Sequence, residues 1–254
     1  MKAMKKLFFI VLLVSQAIFA QSAFEKGNEL YRKEKYEEAV VLYEGILKSG
    51  EQSAELYFNL GNTYYKLHKV APSIYNYEKA LLLNPDDTEI QTNLKFAQKM
   101  AIDEIKVVPE VGFSKMLSDL LDVFHYDTWA GIATGFSALF LLFFIGYYFG
   151  ATSLVKRSFF VAMIFSLVVI LISVASAITE RNNYNKERPA IVFAEVISVK
   201  SEPMASGPEA FVLHEGTKVF VLEDREKWRK IQLTDETEGW IEKDAIRELK
   251  SSEQ

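Results

Sequence analysis

The side chains that could do chemistry are few, and they are scattered. Cysteine is absent, which excludes disulfides, thiolate nucleophiles, cysteine-ligated zinc, iron–sulfur clusters and an acylated-cysteine anchor together. The three histidines, His68, His125 and His214, fall in three different segments. A histidine metal site or a catalytic triad would need the fold to bring together what the sequence keeps apart. Glu37 with Glu38, and Asp86 with Asp87, read as solvated helix-face or loop residues rather than as paired catalytic carboxylates. The nearest approach to a phosphate loop, Gly45 to Gly50, is followed by Glu51 and lacks the phosphate-binding lysine. The chain thus reads as non-enzymatic, with no catalytic residue, cofactor or metal implied.

If no constellation does chemistry, function must lie in surfaces and in the elements that build them. Half of the 254 residues are hydrophobic, and they gather in blocks, so the bulk composition describes no single part. A net charge of -5 without a basic stripe argues against a nucleic-acid partner, since affinity for phosphate backbones rests on clustered Lys and Arg.

Lys2, Lys5 and Lys6 precede the uncharged run Leu7 to Ala20, and Gln21 and Ser22 follow. This is the three-part plan of a secretory signal peptide over residues 1–20, with cleavage after Ala20. The runs 129–150 and 158–179 hold no charged residue, and about 22 residues at 1.5 Å each cross the hydrocarbon core of a bilayer. Between them Lys156 and Arg157 stand without an acid, while Asp119, Asp122 and Asp127 flank the first run. The loop 151–157 is therefore expected in the cytoplasm, with the soluble regions on the outer, periplasmic side of the inner membrane. The signal peptide gives the same orientation independently.

Within the linker 105–127, Phe113, Met116, Leu117, Leu120, Leu121 and Phe124 recur at spacings of three and four. This predicts an amphipathic helix, lying in the membrane interface or packed on the N-terminal domain. Gly131 with Gly135, and Ser173 with Ala177, form small-x-x-x-small pairs at matching depth near the outer ends of the two runs. They suit close packing of the spans on each other, or a seat for a partner's helix.

Between signal peptide and linker, aligning Gly27 with Gly61 brings Leu30 onto Tyr64, Ala39 onto Ser73, Tyr43 onto Tyr77 and Ile46 onto Ala80, a period of 34 residues. That period resembles the tetratricopeptide repeat. The second copy carries Tyr57, Leu60, Gly61, Tyr64, Tyr77, Ala80 and Pro85 where that family has them. The first departs with Ala23 and Glu51. Repeats over 23–52 and 54–87 and a capping helix over 88–104 make up an all-α solenoid, residues 21–104. The resemblance implies a concave groove for peptide or protein segments showing Phe24, Asn28, Tyr31, Phe58, Asn59, Asn62 and Tyr65. Asn28 and Asn59 match the family's carboxylate-clamp subtype, but Phe24, Glu89 and Asn93 replace its basic residues.

After the charged break Glu180 to Arg188, alternating runs appear at Ala190 to Val199, Ala210 to Leu213, Lys218 to Leu222, Trp228 to Leu233 and Gly239 to Ile241. The stretches Leu213 to Val219, Lys227 to Ile231 and Glu238 to Ile241 resemble the bacterial SH3-like domain, which implies a small all-β barrel over 190–248. Gly216 would supply a turn and Gly239 a bulge or close approach. Trp228 is the candidate for an aromatic ligand surface, with peptidoglycan or a protein segment as the ligand.

Taken end to end, the order signal peptide, repeat pair, two spans and SH3-like barrel resembles the BatE-like family of the Bacteroidetes aerotolerance (Bat) operon. The resemblance implies a multi-domain membrane scaffold working with membrane proteins that carry von Willebrand A domains and, indirectly, a MoxR-type ATPase, in tolerance of oxygen or envelope stress. The alternative is a cell-wall sensor acting through the barrel.

Overall fold

Ser53 and Asp87 stand 34 residues apart and do the same work. The Ser53 side chain accepts from the Leu56 amide, and that of Asp87 accepts from Glu89 and Ile90, so each caps the helix that follows it. The computed structural model describes residues 23–103 and 124–250. Within the first stretch the helices are α1 over 23–32, α2 Tyr36–Lys48, α3 Ala54–Lys66, α4 Val70–Leu83 and α5 Thr88–Gln98. The signal peptide 1–20 and most of the linker with its amphipathic stretch lie outside the described residues.

The turns inside the two helix pairs are also copies. Glu34 and His68 both adopt left-handed backbone, with φ of 60° and 56°. The following amides reach back to end the first helix, Lys35 to the Leu30 carbonyl and Lys69 to that of Tyr64, each at 2.9 Å. Gly27 and Gly61 lie where the paired helices cross. A methyl group at Gly61 would stand 2.8 Å from the Tyr77 ring and one at Gly27 2.5 Å from that of Tyr43, so only glycine lets the tyrosines pack. The capping helix closes earlier than expected, at Gln98 rather than 104.

The C-terminal strands are β1 Pro189–Val192, β2 Val196–Lys200, β3 Glu209–His214, β4 Lys218–Arg225, β5 Trp228–Gln232, β6 Glu238–Glu242 and β7 Ile246–Glu248. All pair antiparallel in the order β3-β2-β6-β5-β4-β1-β7. The sheet does not close into the expected barrel: β3 and β7 are its edges. One apolar core nonetheless takes side chains from every strand, from Val192 and Val199 to Ile231 and Ile246.

The predicted strand Ala190 to Val199 is interrupted after Val192, where Phe193 turns its amide to the Ala245 carbonyl at 2.8 Å. Three residues suffice for β7, too few to show an alternation in the sequence. Gly216 provides the turn expected of it, with φ of 89°, and Gly239 the close approach, its absent side chain leaving room for Val199 Cγ1.

Helical repeats and sheet form one compact unit, and the two long helices form another. In the first unit β1 is buried on both faces. Ala190 and Val192 point into the sheet core, while Ile191 between them joins the core of α3, α4 and α5, as does Leu249 just past β7. Polar contacts flank this seam. Lys218 Nζ lies 2.7 Å from the buried Glu78 carboxylate, and Lys79 Nζ donates to the Leu249 carbonyl at 3.0 Å. The separate, self-contained modules suggested by the sequence are thus fused through a common core.

In the second unit α6, Tyr126–Phe149, and α7, Ser153–Lys186, run longer than the charge-free runs 129–150 and 158–179. Both are long and apolar enough to cross a membrane. Thr152 caps α7 by accepting from the Val155 amide, so Lys156 and Arg157 belong to the helix and not to a loop 151–157. The charged stretch from Glu180 likewise continues the helix as far as Lys186. Large apolar side chains stay exposed along both helices, among them Leu142, Phe144, Val161 and Phe165.

One clasp at the seam is ionic. The Asp103 carboxylate accepts from the Thr217 hydroxyl at 2.6 Å, the His214 amide at 2.7 Å and His214 Nδ1 at 2.7 Å. An ionised carboxylate only accepts, so Nδ1 carries a proton. Burial by itself would raise the Asp103 pKa, but the three hydrogen bonds and the neighbouring imidazole outweigh it and hold the value below the usual carboxylate range. Its stabilising contribution is therefore complete above the unfolded pKa and is lost as the pH falls through the depressed folded value. Asp103→Asn should cost about 1–3 kcal/mol at neutral pH. Its deficit against the parent should shrink below about pH 4, as read by urea unfolding over a pH series.

Candidate functional site

The exposed face of α1, α3 and α5 carries a repeating polar ladder. Asn59 Nδ2 donates to Asn28 Oδ1 at 3.0 Å, and 34 residues later Asn93 Nδ2 donates to Asn62 Oδ1 at 2.9 Å. The same two oxygens accept from tyrosine hydroxyls of the second helix of each pair, Tyr43 to Asn28 and Tyr77 to Asn62, both at 2.6 Å. Burial raises the pKa of both hydroxyls well above the ordinary tyrosine range, so they remain donors.

Each repeat therefore fixes one asparagine from behind with a buried tyrosine and from the side with the asparagine of the next repeat. The Nδ2 groups of Asn28 and Asn62 and the Oδ1 atoms of Asn59 and Asn93 keep hydrogen-bonding capacity that no described contact uses. Such pre-aimed amides suit the alternating donors and acceptors of an extended peptide backbone.

Of the residues the resemblance put in the groove, Asn28, Asn59 and Asn62 come together in this ladder. Phe24 and Phe58 are half-buried and pack on Tyr43 and Tyr77, with centroids 5.9 and 6.0 Å apart, so they support the ladder from within. Tyr31 packs edge-on against Tyr36 at 5.4 Å, and Tyr65 leans on the helical core. The tyrosines at 43 and 77 read in the sequence as repeat-core residues. Their role in the site shows only once the hydroxyls are seen to reach across 15 residues to asparagine. A cavity beside α1, bordered by Glu25, Asn28, Glu29 and Arg32, extends the polar face.

Elsewhere the fold redistributes the candidates. Trp228 is half-buried at the start of β5, and among the described residues no ring stacks on it. Trp240 is packed away, 9% exposed, beneath the Arg225 guanidinium. His214 is brought to Asp103, and the neighbouring Thr217 hydroxyl donates to the same carboxylate, so the three side chains form the clasp at the seam.

In the helical hairpin, packing of the spans through Gly131 and Gly135 is corrected. Both glycines are exposed, and an added methyl at either would meet nothing within 4 Å. The buried positions there are instead Trp129, Ala133, Ser166, Ser173 and Ser176, with Ala177 half-buried. Gly146 is the glycine that admits a partner, since the Phe159 ring would lie 2.6 Å from its side chain.

Comparison with known families bears on this same region. The tetratricopeptide repeat family matches residues 54–87, and a TPR repeat family matches residues 27–67. The chain therefore carries tetratricopeptide repeats, over a region that holds Asn28, Asn59 and Asn62 of the ladder, while Asn93 on α5 follows it. No curated protein matches it.

The two kinds of contact behind the ladder should differ in cost. Tyr77→Phe removes one buried hydroxyl bond while Asn62 keeps its bond from Asn93, and should lower unfolding stability by about 1 kcal/mol. Gly61→Ala pushes a methyl into the Tyr77 ring and should cost about 1–3 kcal/mol. Urea unfolding followed by helical circular dichroism orders the two.

Proposed function

We propose that this chain is a non-enzymatic scaffold that holds partner proteins at the bacterial envelope membrane, with the face of α1, α3 and α5 as the seat for an extended segment of a partner. The observation that carries this reading is the asparagine ladder. Two repeats aim equivalent amides at the same surface, and among the described residues the sheet packs on the core of α3, α4 and α5 without a hydrogen bond to the ladder. Tetratricopeptide repeats serve protein–protein interaction, which agrees with the absence of any catalytic motif in the sequence.

Anchoring is supported by the exposed apolar side chains of α6 and α7, since a helix buried in a soluble core would hide them. The signal sequence and the basic residues Lys156 and Arg157 support an inner-membrane protein with both soluble regions in the periplasm. Fusion of repeats and sheet into one unit adds a constraint. They must share a side of the membrane, which two crossings between them satisfy. Following the resemblance to BatE-like proteins, the partners are membrane proteins with von Willebrand A domains, linked to a MoxR-type ATPase in tolerance of oxygen or envelope stress. The SH3-like sheet serves as the cover of the repeats.

Affinity purification from detergent-solubilised membranes should recover a stoichiometric membrane protein with the parent chain and lose it with the Asn59→Ala/Asn93→Ala variant. A partner that is never recovered, or is recovered equally well by both, contradicts the groove. Protease added to spheroplasts should reach the repeats and the sheet alike. Protection of both would place them in the cytoplasm and overturn the orientation.

A further inference from the structure

The opposite face of α3 carries a second concavity that the groove does not use. Tyr57, Leu60 and Tyr64 of α3 meet Leu47 of α2, Pro72 and Tyr75 of α4, and Phe193 with Arg247 from the sheet. Together they border a cavity of about 520 Å³, within the range of about 300–1,000 Å³ typical of small-ligand pockets. Its walls mix aromatic and aliphatic side chains with polar ones, Asn76 among them, and its rim is charged.

That charge is unevenly satisfied. Glu44 is the one acid among the lining residues, and it is already engaged: it accepts the Tyr64 hydroxyl at 2.5 Å, and Lys48 lies 3.8 Å away. Arg247 and Lys69, also on the rim, have no carboxylate partner among the described residues. Two other arginines of the sheet are paired, while Arg225 lies over the Trp240 ring. Arg188 is held by Asp224 and Glu248, and Arg229 by Asp224.

Arg247 is nonetheless held in place. Its guanidinium lies 4.0 Å from the centroid of Phe193, whose ring packs edge-on to Tyr75 at 5.6 Å. Stacking uses the flat face of a guanidinium and leaves its N–H edge free to grip a carboxylate with two parallel bonds. A planar donor fork over an aromatic pocket, with a lysine on the same rim, calls for an anion on an apolar body.

We propose that this cavity is a second binding site, one that takes an aromatic side chain carried next to a carboxylate, with Arg247 gripping the carboxylate and the half-buried Leu47, Tyr64 and Tyr75 side chains receiving the ring. A free aromatic acid and the C-terminal residue of a peptide present the same chemistry. The site is independent of the asparagine ladder and lies across α3 from it.

The test uses the full chain in detergent and three probes followed by ligand-observed NMR titration: N-acetylphenylalanine, its neutral amide, and N-acetyl-Ala-Ala-Phe with a free carboxylate. Both carboxylates should bind, and the amide should bind at least about tenfold more weakly, as expected for loss of a charge-assisted contact. Arg247→Gln should weaken both carboxylates roughly tenfold to hundredfold, Lys69→Gln should weaken them less, and Lys95→Gln, on the exposed side of α5 away from the cavity, should leave them unchanged. A tripeptide that binds more tightly than the single residue assigns the site to peptide ends, and equal binding assigns it to free acids. The proposal is overturned if amide and acid bind alike or not at all. It is overturned equally if both Arg247→Gln and Lys69→Gln, shown folded by circular dichroism, bind as the parent does, or if Lys95→Gln weakens the carboxylates as much as Arg247→Gln.

Discussion

Burial of β1 on both faces is the constraint on which the soluble architecture rests. A strand of four residues sends Ala190 and Val192 one way and Ile191 the other, and each side meets a packed core. A stack of helix pairs leaves an apolar face at its end that needs covering, and a small sheet has little interior of its own. Each supplies what the other lacks. The turn at Gly216 sits against Val70 and Ile74 of α4, where a side chain on that residue would collide with both. The polar bonds at the seam then set the register that apolar contact alone would leave loose: Lys218 to Glu78, Lys79 to the Leu249 carbonyl, and Asp103 to the His214 turn.

Covering the helices in this way decides which of their surfaces stays available. The sheet packs on the core of α3, α4 and α5, while the asparagines of α1, α3 and α5 stay half-buried outside that core. Their order comes from a bond network that repeats with the chain: tyrosine to asparagine within a helix pair, asparagine to asparagine between pairs. A surface built this way loses little conformational entropy when a backbone is laid on it, because its amides are already oriented. Network and cover depend on each other through α4, which holds both Tyr77 and the side chains that receive Ile191.

The sequence was most legible where local periodicity carries the information. The 34-residue match of Gly27 with Gly61 and Tyr43 with Tyr77 located the helix pairs, and two charge-free runs located the long helices. Ends were read less well, since a capping threonine carried α7 back to Ser153, and helical propensity carried it on through the charged stretch to Lys186. Glycine spacing misled about the contact between the long helices: Gly131 and Gly135 repeat at four, but the buried edge follows Trp129 and Ala133. Least visible were relations across the whole chain. Asp103 and His214 are 111 residues apart, Glu78 and Lys218 are 140, and no local pattern joins them. Nor does Ile191 look different from its neighbours in a strand that alternation would leave open on one side.

The polar pins also explain how an apolar hairpin can be inserted into the middle of a folded unit without dividing it. The chain leaves the helical repeats at Asp103, which is held by Thr217 and His214, and it rejoins at Arg188, whose guanidinium bonds both Asp224 and Glu248 at 2.9 to 3.1 Å. Both points of departure are thus fastened to the sheet, one through the β3–β4 turn and the other through β4 and β7. A charged clasp is directional where apolar packing is not, so each pin fixes the path of the chain where it leaves or rejoins the core. Any crossings of a bilayer by a chain that leaves and rejoins the same core must be even in number, and the two helices long and apolar enough to cross meet that condition.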